Sequence, residues 1–128
     1  MNLLLDTHAF LWFIAGASNL SQTARSTIED LNNNRYVSVA SLWEIAIKIS
    51  IGKFELSEPF ETLIPQQLAE NGIELFHISV AHTALLTSLP FHHRDPFDRL
   101  IAAQARVEQL TLISADNVFD MYSIKRLW

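Results

Sequence analysis

Short apolar runs alternate with longer helical segments along this chain, and this alternation is the feature that most constrains its fold. The runs are apolar or β-branched and are bounded by polar or turn-forming residues, as is typical of strands. They cover residues 3–5, 36–39, 73–78 and 111–114, and residues 124–128 could add a short final strand. Strands that alternate with helices favour an α/β architecture with a central, mainly parallel sheet of about five strands.

The segments between these runs carry helix start and stop signals. Ser21 and Ser79 are suitable N-caps for helices that reach about residues 32 and 89, and Asp95 precedes a helix through residue 109. Gly52 should end a helix that begins near residue 41. A further helix is predicted over residues 59–71, where Pro65 should cause a kink or a restart.

The composition bounds the class of protein. With 128 residues the chain is expected to form one domain, residues 1–128. Hydrophobic residues make up 49% of it, so some apolar surface is expected to face a partner, while the net charge of −5 argues against gripping nucleic acid by bulk electrostatics. No cysteine is present, which excludes thiolate ligands and cysteine nucleophiles. With no basic leader and no long apolar stretch, we expect a cytoplasmic protein that does not enter a membrane.

Four acidic residues stand at the edges of apolar segments. They are Asp6, Glu44, Asp98 and Asp116. Asp6 and Asp116 follow predicted strands, and the other two lie near helix starts, a placement that brings all four toward the carboxyl edge of a parallel sheet. Converging carboxylates repel one another, so the pattern predicts a site for a divalent cation.

Each acid alone also has an ordinary structural interpretation. Asp6 can cap the first helix together with Thr7, and Asp116 with Asn117 forms a good turn. These interpretations require no chemistry.

The two helical acids have similar alternatives. Glu44 precedes Lys48 by four residues, the favourable order for a helix-surface pair, and Asp98 lies three residues after Asp95, as in a capped first turn. However, Glu44 stands in a helix that is apolar on most sides, where a carboxylate without a positive partner is unfavourable. Asp98 begins a helix that must pack deeply through residues 100–103. The structural interpretations therefore weaken when they are taken together.

Several motifs in order resemble those of PIN-domain nucleases. They are LLLDTHAFLW at the start, Glu44 in the helix after the second strand, HRDPFDRLIAAQA, which contains Asp98, and SAD at residues 114–116. With the length and the ending RLW, they are similar to the VapC-type toxins of bacterial toxin-antitoxin pairs. The resemblance spans the whole chain and implies a PIN-like, three-layer α/β/α fold.

The resemblance also implies the site and its chemistry. The implied acidic residues are Asp6, Glu44, Asp98 and Asp116, and the supporting hydroxyls are those of Thr7 and Ser114. Asp95 is close to the same motif, but alignment on LIAAQA favours Asp98 and leaves Asp95 as a cap. The implied activity is hydrolysis of RNA phosphodiester bonds by an endoribonuclease that uses Mg²⁺, with Mn²⁺ as the alternative ion and Asp6 and Asp98 as principal ligands.

Partners follow from the same resemblance. It implies a small antitoxin whose C-terminal segment covers the active-site groove, and a homodimer or a hetero-oligomer with that antitoxin. Candidate groove residues are Phe10, Leu11, Trp12 and Trp43, although core packing is the commoner fate of such side chains. The alternative function is a catalytically inactive PIN-fold module that only binds other proteins.

RNA that approaches an acidic site needs cations beside it. The candidates are Arg94, Arg99, Lys48 and Lys53, with His92 and His93, and all of them fit a solvated rim or salt bridges equally well. His8 and His77 are expected to pack or to cap, and His82 has no evident partner in the sequence.

Two other magnesium-dependent α/β classes fit less well. A phosphoacceptor receiver domain needs an acidic pair after its first strand and an aspartate after its third, but here Thr7 follows Asp6 and the third run ends in HIS. A phosphatase with an Asp-x-Asp motif needs an acid where this chain has His8.

Overall fold

Five strands form one parallel sheet in the computed structural model, which describes all 128 residues. In chain order they are β1 (Asn2–Leu5), β2 (Asn34–Ser38), β3 (Ile73–Phe76), β4 (Thr111–Ile113) and β5 (Lys125–Leu127). Their order across the sheet is β3-β2-β1-β4-β5, and every neighbouring pair is parallel. The predicted α/β class, the parallel sheet and the short final strand are confirmed.

Six α-helices and one 3-10 helix connect the strands. They are α1 (Thr7–Ala15), α2 (Gln22–Glu29), α3 (Val39–Ser50), α4 (Phe60–Glu70), α5 (Val80–Leu86), α6 (Pro96–Glu108) and the 3-10 helix Asn117–Tyr122. Ser21, Ser79 and Asp95 cap α2, α5 and α6 as predicted, because each side chain accepts a hydrogen bond from the backbone N–H three residues later. None of these helices combines the length and the apolar character that crossing a membrane requires.

Three helices differ from the prediction, and one of them is α5, which ends at Leu86 rather than near residue 89. Helix α2 ends at Glu29 rather than near residue 32, and the turn that follows is held by the Asn33 side chain, which donates to the Thr27 carbonyl at 2.9 Å. Helix α4 runs through Pro65 without a restart, and the proline ring lies on its exposed side.

The sheet is covered on both faces, which makes the fold a three-layer sandwich. Leu3 and Leu5 of β1 pack with α1 to α4, whereas Leu4 between them packs with α6 and the 3-10 helix on the other face. All three side chains are fully buried. Alternate residues of a strand point to opposite faces, so this short apolar run contributes to both cores at once.

The strand order creates a crevice at the carboxyl edge of the sheet. From β1 the chain moves outward through β2 to β3, and then returns to place β4 on the opposite side of β1. The connections therefore diverge between β1 and β4, and ligands of open α/β sheets bind at such a switch point. Asp6 follows β1 directly, and Asp116 lies three residues beyond β4.

Candidate active site

Asp6 lies at the end of the central strand and is 7% exposed. It is the N-cap of α1, and its Oδ1 accepts a hydrogen bond from the Ala9 N–H at 2.8 Å. Burial raises the pKa of Asp6, and the nearby negative charge of Asp116 raises it further, while the Ser114 hydroxyl and the Ala9 N–H oppose the rise. The capping interpretation is therefore confirmed, and the carboxylate also belongs to a charged cluster.

Glu44 reaches the same region from the second turn of α3 and is 6% exposed. The Thr7 hydroxyl donates to its Oε1 at 2.7 Å, and Lys48 Nζ lies 3.0 Å from its Oε2. Ser41 Oγ is 2.9 Å from Thr7 Oγ1. Because the single proton of Thr7 goes to the carboxylate, Ser41 is the donor in this second contact. The helix pair with Lys48 is confirmed, and it supplies the positive partner that a buried carboxylate needs.

Asp98 lies in the first turn of α6, beneath the cap formed by Asp95. The pKa of Asp98 is raised to about 7, first by burial and then by the negative charges of Asp95, Glu44 and Asp6, while His93 opposes the rise. Charges from three different elements thus act on one carboxyl group. A carboxyl group with this pKa takes up or releases a proton near neutral pH.

Asp116 caps the 3-10 helix, with Oδ1 accepting from the Val118 N–H at 3.0 Å. Its Oδ2 lies 2.7 Å from Nε2 of His93, whose ring is almost fully buried. On its other side, His93 contacts the Tyr122 hydroxyl through Nδ1 at 2.9 Å and through its backbone N–H at 2.8 Å. The predicted turn at Asp116 is confirmed as a helix cap, and Ser114 donates nothing to it but accepts from the Asp116 N–H at 3.1 Å.

The structure corrects one of the candidate RNA-binding cations. Arg99 is 7% exposed, and its guanidinium donates to the carbonyls of Pro90, Leu86 and Leu89 and lies 3.7 Å from the centre of the Phe91 ring. Its donors hold the loop before α6, so it does not offer them to RNA. Arg94 is exposed, and Lys48 and Lys53 lie together beside Thr7.

The apolar and histidine candidates differ in how far they are exposed to solvent. Phe10 is fully buried in the core, whereas Leu11 and Trp12 line a surface pocket and Trp43 is 59% exposed with its ring edge toward Phe97. His8 and His77, which were expected to pack or to cap, are both exposed, although the His8 ring lies 5.5 Å from the Trp12 ring. His82 has the partners that the sequence did not indicate, since Nδ1 accepts from the Ser79 N–H and Nε2 lies 3.0 Å from Glu108.

Three side chains at this edge make contacts that support the acidic residues and that the sequence did not predict. Ser41 supports Thr7, His93 holds Asp116, and Tyr122 holds His93. Ser41 has a local signal, because it follows a strand and opens a helix on the same edge as Asp6. The other two meet across 29 residues and carry no local signal.

No three acidic or histidine side chains surround a common point at which one metal ion would bind. The reason is visible in their hydrogen bonds, since Asp6, Glu44 and Asp116 all turn oxygens toward protein donors. The donor set is nevertheless the one that hard divalent cations prefer, with carboxylate oxygens and no sulfur.

Comparison with protein-family models identifies the family of this chain. The family model described as PIN domain matches residues 3–125. This chain belongs to the PIN-domain family. The predicted family is thus confirmed.

Relatives of this PIN domain agree with that assignment. Ribonuclease VapC16 of Mycobacterium tuberculosis is 32% identical over 68 residues, an alignment that covers 53% of this chain and 48% of the relative. The chain is thus matched to about half of that relative's length. Among solved structures, VapBC2 from Rickettsia felis bound to a DNA fragment from its promoter has a TM-score of 0.74 at 20% identity. That superposition covers 99% of this chain and 98% of the matched chain. A toxin-antitoxin complex from Klebsiella pneumoniae has a TM-score of 0.56 at 17% identity, with coverage of 89% and 86%.

Proposed function

We propose that this PIN domain is a metal-dependent endoribonuclease that acts as the toxin of a toxin-antitoxin pair. One observation carries the enzymatic part: buried or half-buried carboxylates from three elements, Asp6, Glu44 and Asp98, lie at the switch point of the sheet, where burial first and then the charges of Asp95, Glu44 and Asp6 raise the pKa of Asp98, and Lys48 is paired only with Glu44. A fold that collects unfavourable charge at its ligand-binding edge indicates a functional site. The partial similarity to a protein named a ribonuclease supports RNA as the substrate.

The residues present fit Mg²⁺ or Mn²⁺. Asp6 and Asp98 are the proposed principal ligands, and Glu44 and Asp116 complete the site directly or through water. When bound, the ion supplies a Lewis acid that polarises the scissile phosphodiester and lowers the pKa of the attacking water. The positive charge also relieves the carboxylate repulsion that, after burial, contributes to the raised pKa of Asp98.

The remaining residues orient these carboxylates. Thr7 fixes Glu44 through its hydroxyl, and His93 fixes Asp116 through Nε2. The Ser114 hydroxyl forms a hydrogen bond with Asp6 and opposes the rise in the pKa of that carboxyl group. Asp98 holds a proton at its carboxyl group below about pH 7 and must release it before it can bind a cation.

The proposed partner is an antitoxin, which is supported by the likeness to the Klebsiella pneumoniae toxin-antitoxin complex. Exposed apolar side chains beside the acids agree with it. Trp43 precedes Glu44 and is 59% exposed, and its ring makes a T-shaped contact with the ring of Phe97, which precedes Asp98. We place the activity in the cytoplasm and include a homodimer or a complex with the antitoxin in the proposal. The second candidate, an inactive interaction module, is favoured by the absence of a preformed metal arrangement.

The test is cleavage of total cellular RNA by the purified chain, freed of any partner, with Mg²⁺ or Mn²⁺ and with EDTA. Asp98→Asn is the site variant, and Glu61→Gln, which changes an exposed acid in the first turn of α4, is the matched control. We expect cutting that requires metal, that persists in Glu61→Gln and that is lost in Asp98→Asn. Cutting by Asp98→Asn at the wild-type rate would overturn the site. Absence of both cutting and Mn²⁺ binding would favour the interaction module.

A further inference from the structure

A pocket of about 420 Å³ lies next to the carboxylates, and two of the candidate groove residues, Leu11 and Trp12, line it. It is mainly apolar, and no acidic side chain lines it, although the protein as a whole carries a net charge of −5. The lining residues that matter for the argument are Thr7, His8, Trp12, Lys48, Lys53 and Phe54. A pocket of this volume falls within the range that holds small molecules.

Two residues connect this pocket to the acidic site. Thr7 lines the pocket and donates to Oε1 of Glu44, and Lys48 lines the pocket and pairs with Oε2 of the same carboxylate. The pocket and the carboxylates therefore share a wall. We therefore expect a strand of nucleic acid whose phosphodiester bond lies over the carboxylates to place an adjacent nucleotide at this pocket.

The turn that ends α3 brings a second cation to the same wall. Gly52 has φ 73°, its N–H donates to the Ile49 carbonyl at 3.1 Å, and the Lys53 N–H donates to the Lys48 carbonyl at 2.8 Å. These two bonds define a Schellman motif, which folds Lys53 back over the last turn of the helix. Lys48 uses one of its three donors on Glu44, so it keeps donors for an anion.

Aromatic rings supply the other wall. Trp12 is partly exposed, with the His8 ring 5.5 Å away at a tilt of 33° and the Trp128 ring 5.8 Å away. Nucleobases stack on aromatic side chains without regard to sequence, and cations beside them hold the phosphates. Beside the indole, Lys53 has no acidic partner and Lys48 keeps donors beyond its pair with Glu44, an arrangement that matches an anionic nucleotide better than an apolar protein segment.

We propose that this pocket binds one unpaired nucleotide of the RNA strand, with its base on Trp12 and its phosphate at Lys48 and Lys53. This assignment rests on the proposed function, since it makes the pocket the substrate subsite beside the scissile bond. It requires single-stranded RNA, because a paired base cannot enter the pocket.

Binding is tested separately from cleavage, with 2-aminopurine riboside 5′-monophosphate as the probe in buffer that contains EDTA. Stacking on Trp12 should quench the probe. We expect Trp12→Leu to weaken binding about tenfold, as the loss of one base-aromatic stack implies. Lys53→Gln should weaken it about threefold to tenfold, whereas Lys125→Gln, a change at an exposed lysine on β5, should have no effect. Lys53 is itself exposed, so its variant keeps the test valid if Trp12→Leu does not fold.

Asp98→Asn separates the two proposals. If it abolishes cleavage and leaves probe binding unchanged, both the site and the subsite are supported. Two results would overturn the subsite while cleavage still requires Asp98: the probe does not bind the wild type, or it binds Trp12→Leu and Lys53→Gln as tightly as the wild type. In either case a protein segment becomes the occupant of the pocket. If the probe binds as expected but no RNA is cut, the nuclease proposal fails and the pocket remains a nucleotide site.

Discussion

Nε2 of His93 lies 2.7 Å from Oδ2 of Asp116, and its Nδ1 lies 2.9 Å from the Tyr122 hydroxyl. The backbone N–H of His93 donates to the same hydroxyl oxygen at 2.8 Å, which leaves the phenolic proton free to point at Nδ1. A carboxylate accepts and does not donate, so Nε2 carries a proton in either charge state of the ring. Tyr122 and His93 thus aim one oxygen of Asp116, while the Val118 N–H holds the other.

His93→Ala should lower RNA cleavage and Mn²⁺ affinity by roughly 10-fold to 100-fold, as removing the support of a ligand does elsewhere. Tyr122→Phe should lower them less, because the imidazole remains. His92→Ala is the control, since its ring packs against Tyr122 but does not contact Asp116. Equal losses in the two histidine variants would mean that the loop, and not the contact with Asp116, determines activity.

Asp98→Asn should stabilise the metal-free protein at pH 8 by about 1 to 2 kcal/mol, a value discounted for the partial exposure of this group. The pKa of Asp98 is raised from 3.8 to about 7, so the folded state binds this proton more tightly than the unfolded state does. The resulting stability is fully present below pH 3.8 and is lost as the pH rises through about 7. Urea unfolding of both proteins at pH 5 and pH 8 measures the difference, which should shrink at pH 5.

The same proton should make metal binding dependent on pH. Because the ion competes with the proton on Asp98, its apparent affinity should fall as the pH drops below about 7. Calorimetric titration with Mn²⁺ at pH 6, 7 and 8 checks this expectation. A pH-independent affinity would exclude Asp98 as a ligand.

The order of the strands and helices could be predicted because its signals are local. The apolar run at residues 3–5 ends in Asp6, and Asp95 with Pro96 begins α6, so both signals lie within a few residues of the elements that they define. The four acids could be singled out for the same reason, since each stands at the edge of such an element. Backbone donors could be predicted where an acid caps a helix, as Asp6 does, but a side-chain donor could be predicted only for Glu44, since Lys48 lies one helical turn away.

The rest depends on contacts that are distant in sequence. His93 and Asp116 are 23 residues apart, and they meet only because the loop before α6 and the 3-10 helix pack on the same face of the sheet. The 3-10 helix was not predicted, because Asp116 with Asn117 indicates a turn but does not indicate that the turn continues as a helix. Arg99 was a candidate for RNA binding, with a solvated rim or a salt bridge as the alternative, and neither indicated its actual partners, which are backbone carbonyls of the preceding segment and have no sequence signature.

Thr7→Val should destabilise the protein by about 1 to 3 kcal/mol, because it keeps the shape of the side chain and removes the donor to a buried carboxylate. Thr7→Ser retains the hydroxyl and is the matched control. Both are compared by urea unfolding at pH 7 and by RNA cleavage. If Thr7→Val were as stable as Thr7→Ser, Lys48 alone would satisfy Glu44, and the 2.7 Å contact would contribute little.

Gly52→Ala tests the turn that brings Lys53 beside Lys48. No atom lies within 4 Å of an added Cβ, so the expected loss of about 1 to 2 kcal/mol comes only from the left-handed backbone at φ 73°. If the Schellman motif opens to relieve this strain, Lys53 leaves the pocket and the nucleotide probe should bind more weakly, by a factor similar to that of Lys53→Gln. Gly16→Ala is the control, because Gly16 has φ 64° and the same open space but ends α1 outside the lysine pair. Weaker probe binding in Gly52→Ala alone ties the helix-ending turn to the pocket, whereas an equal loss in both variants reports only general destabilisation.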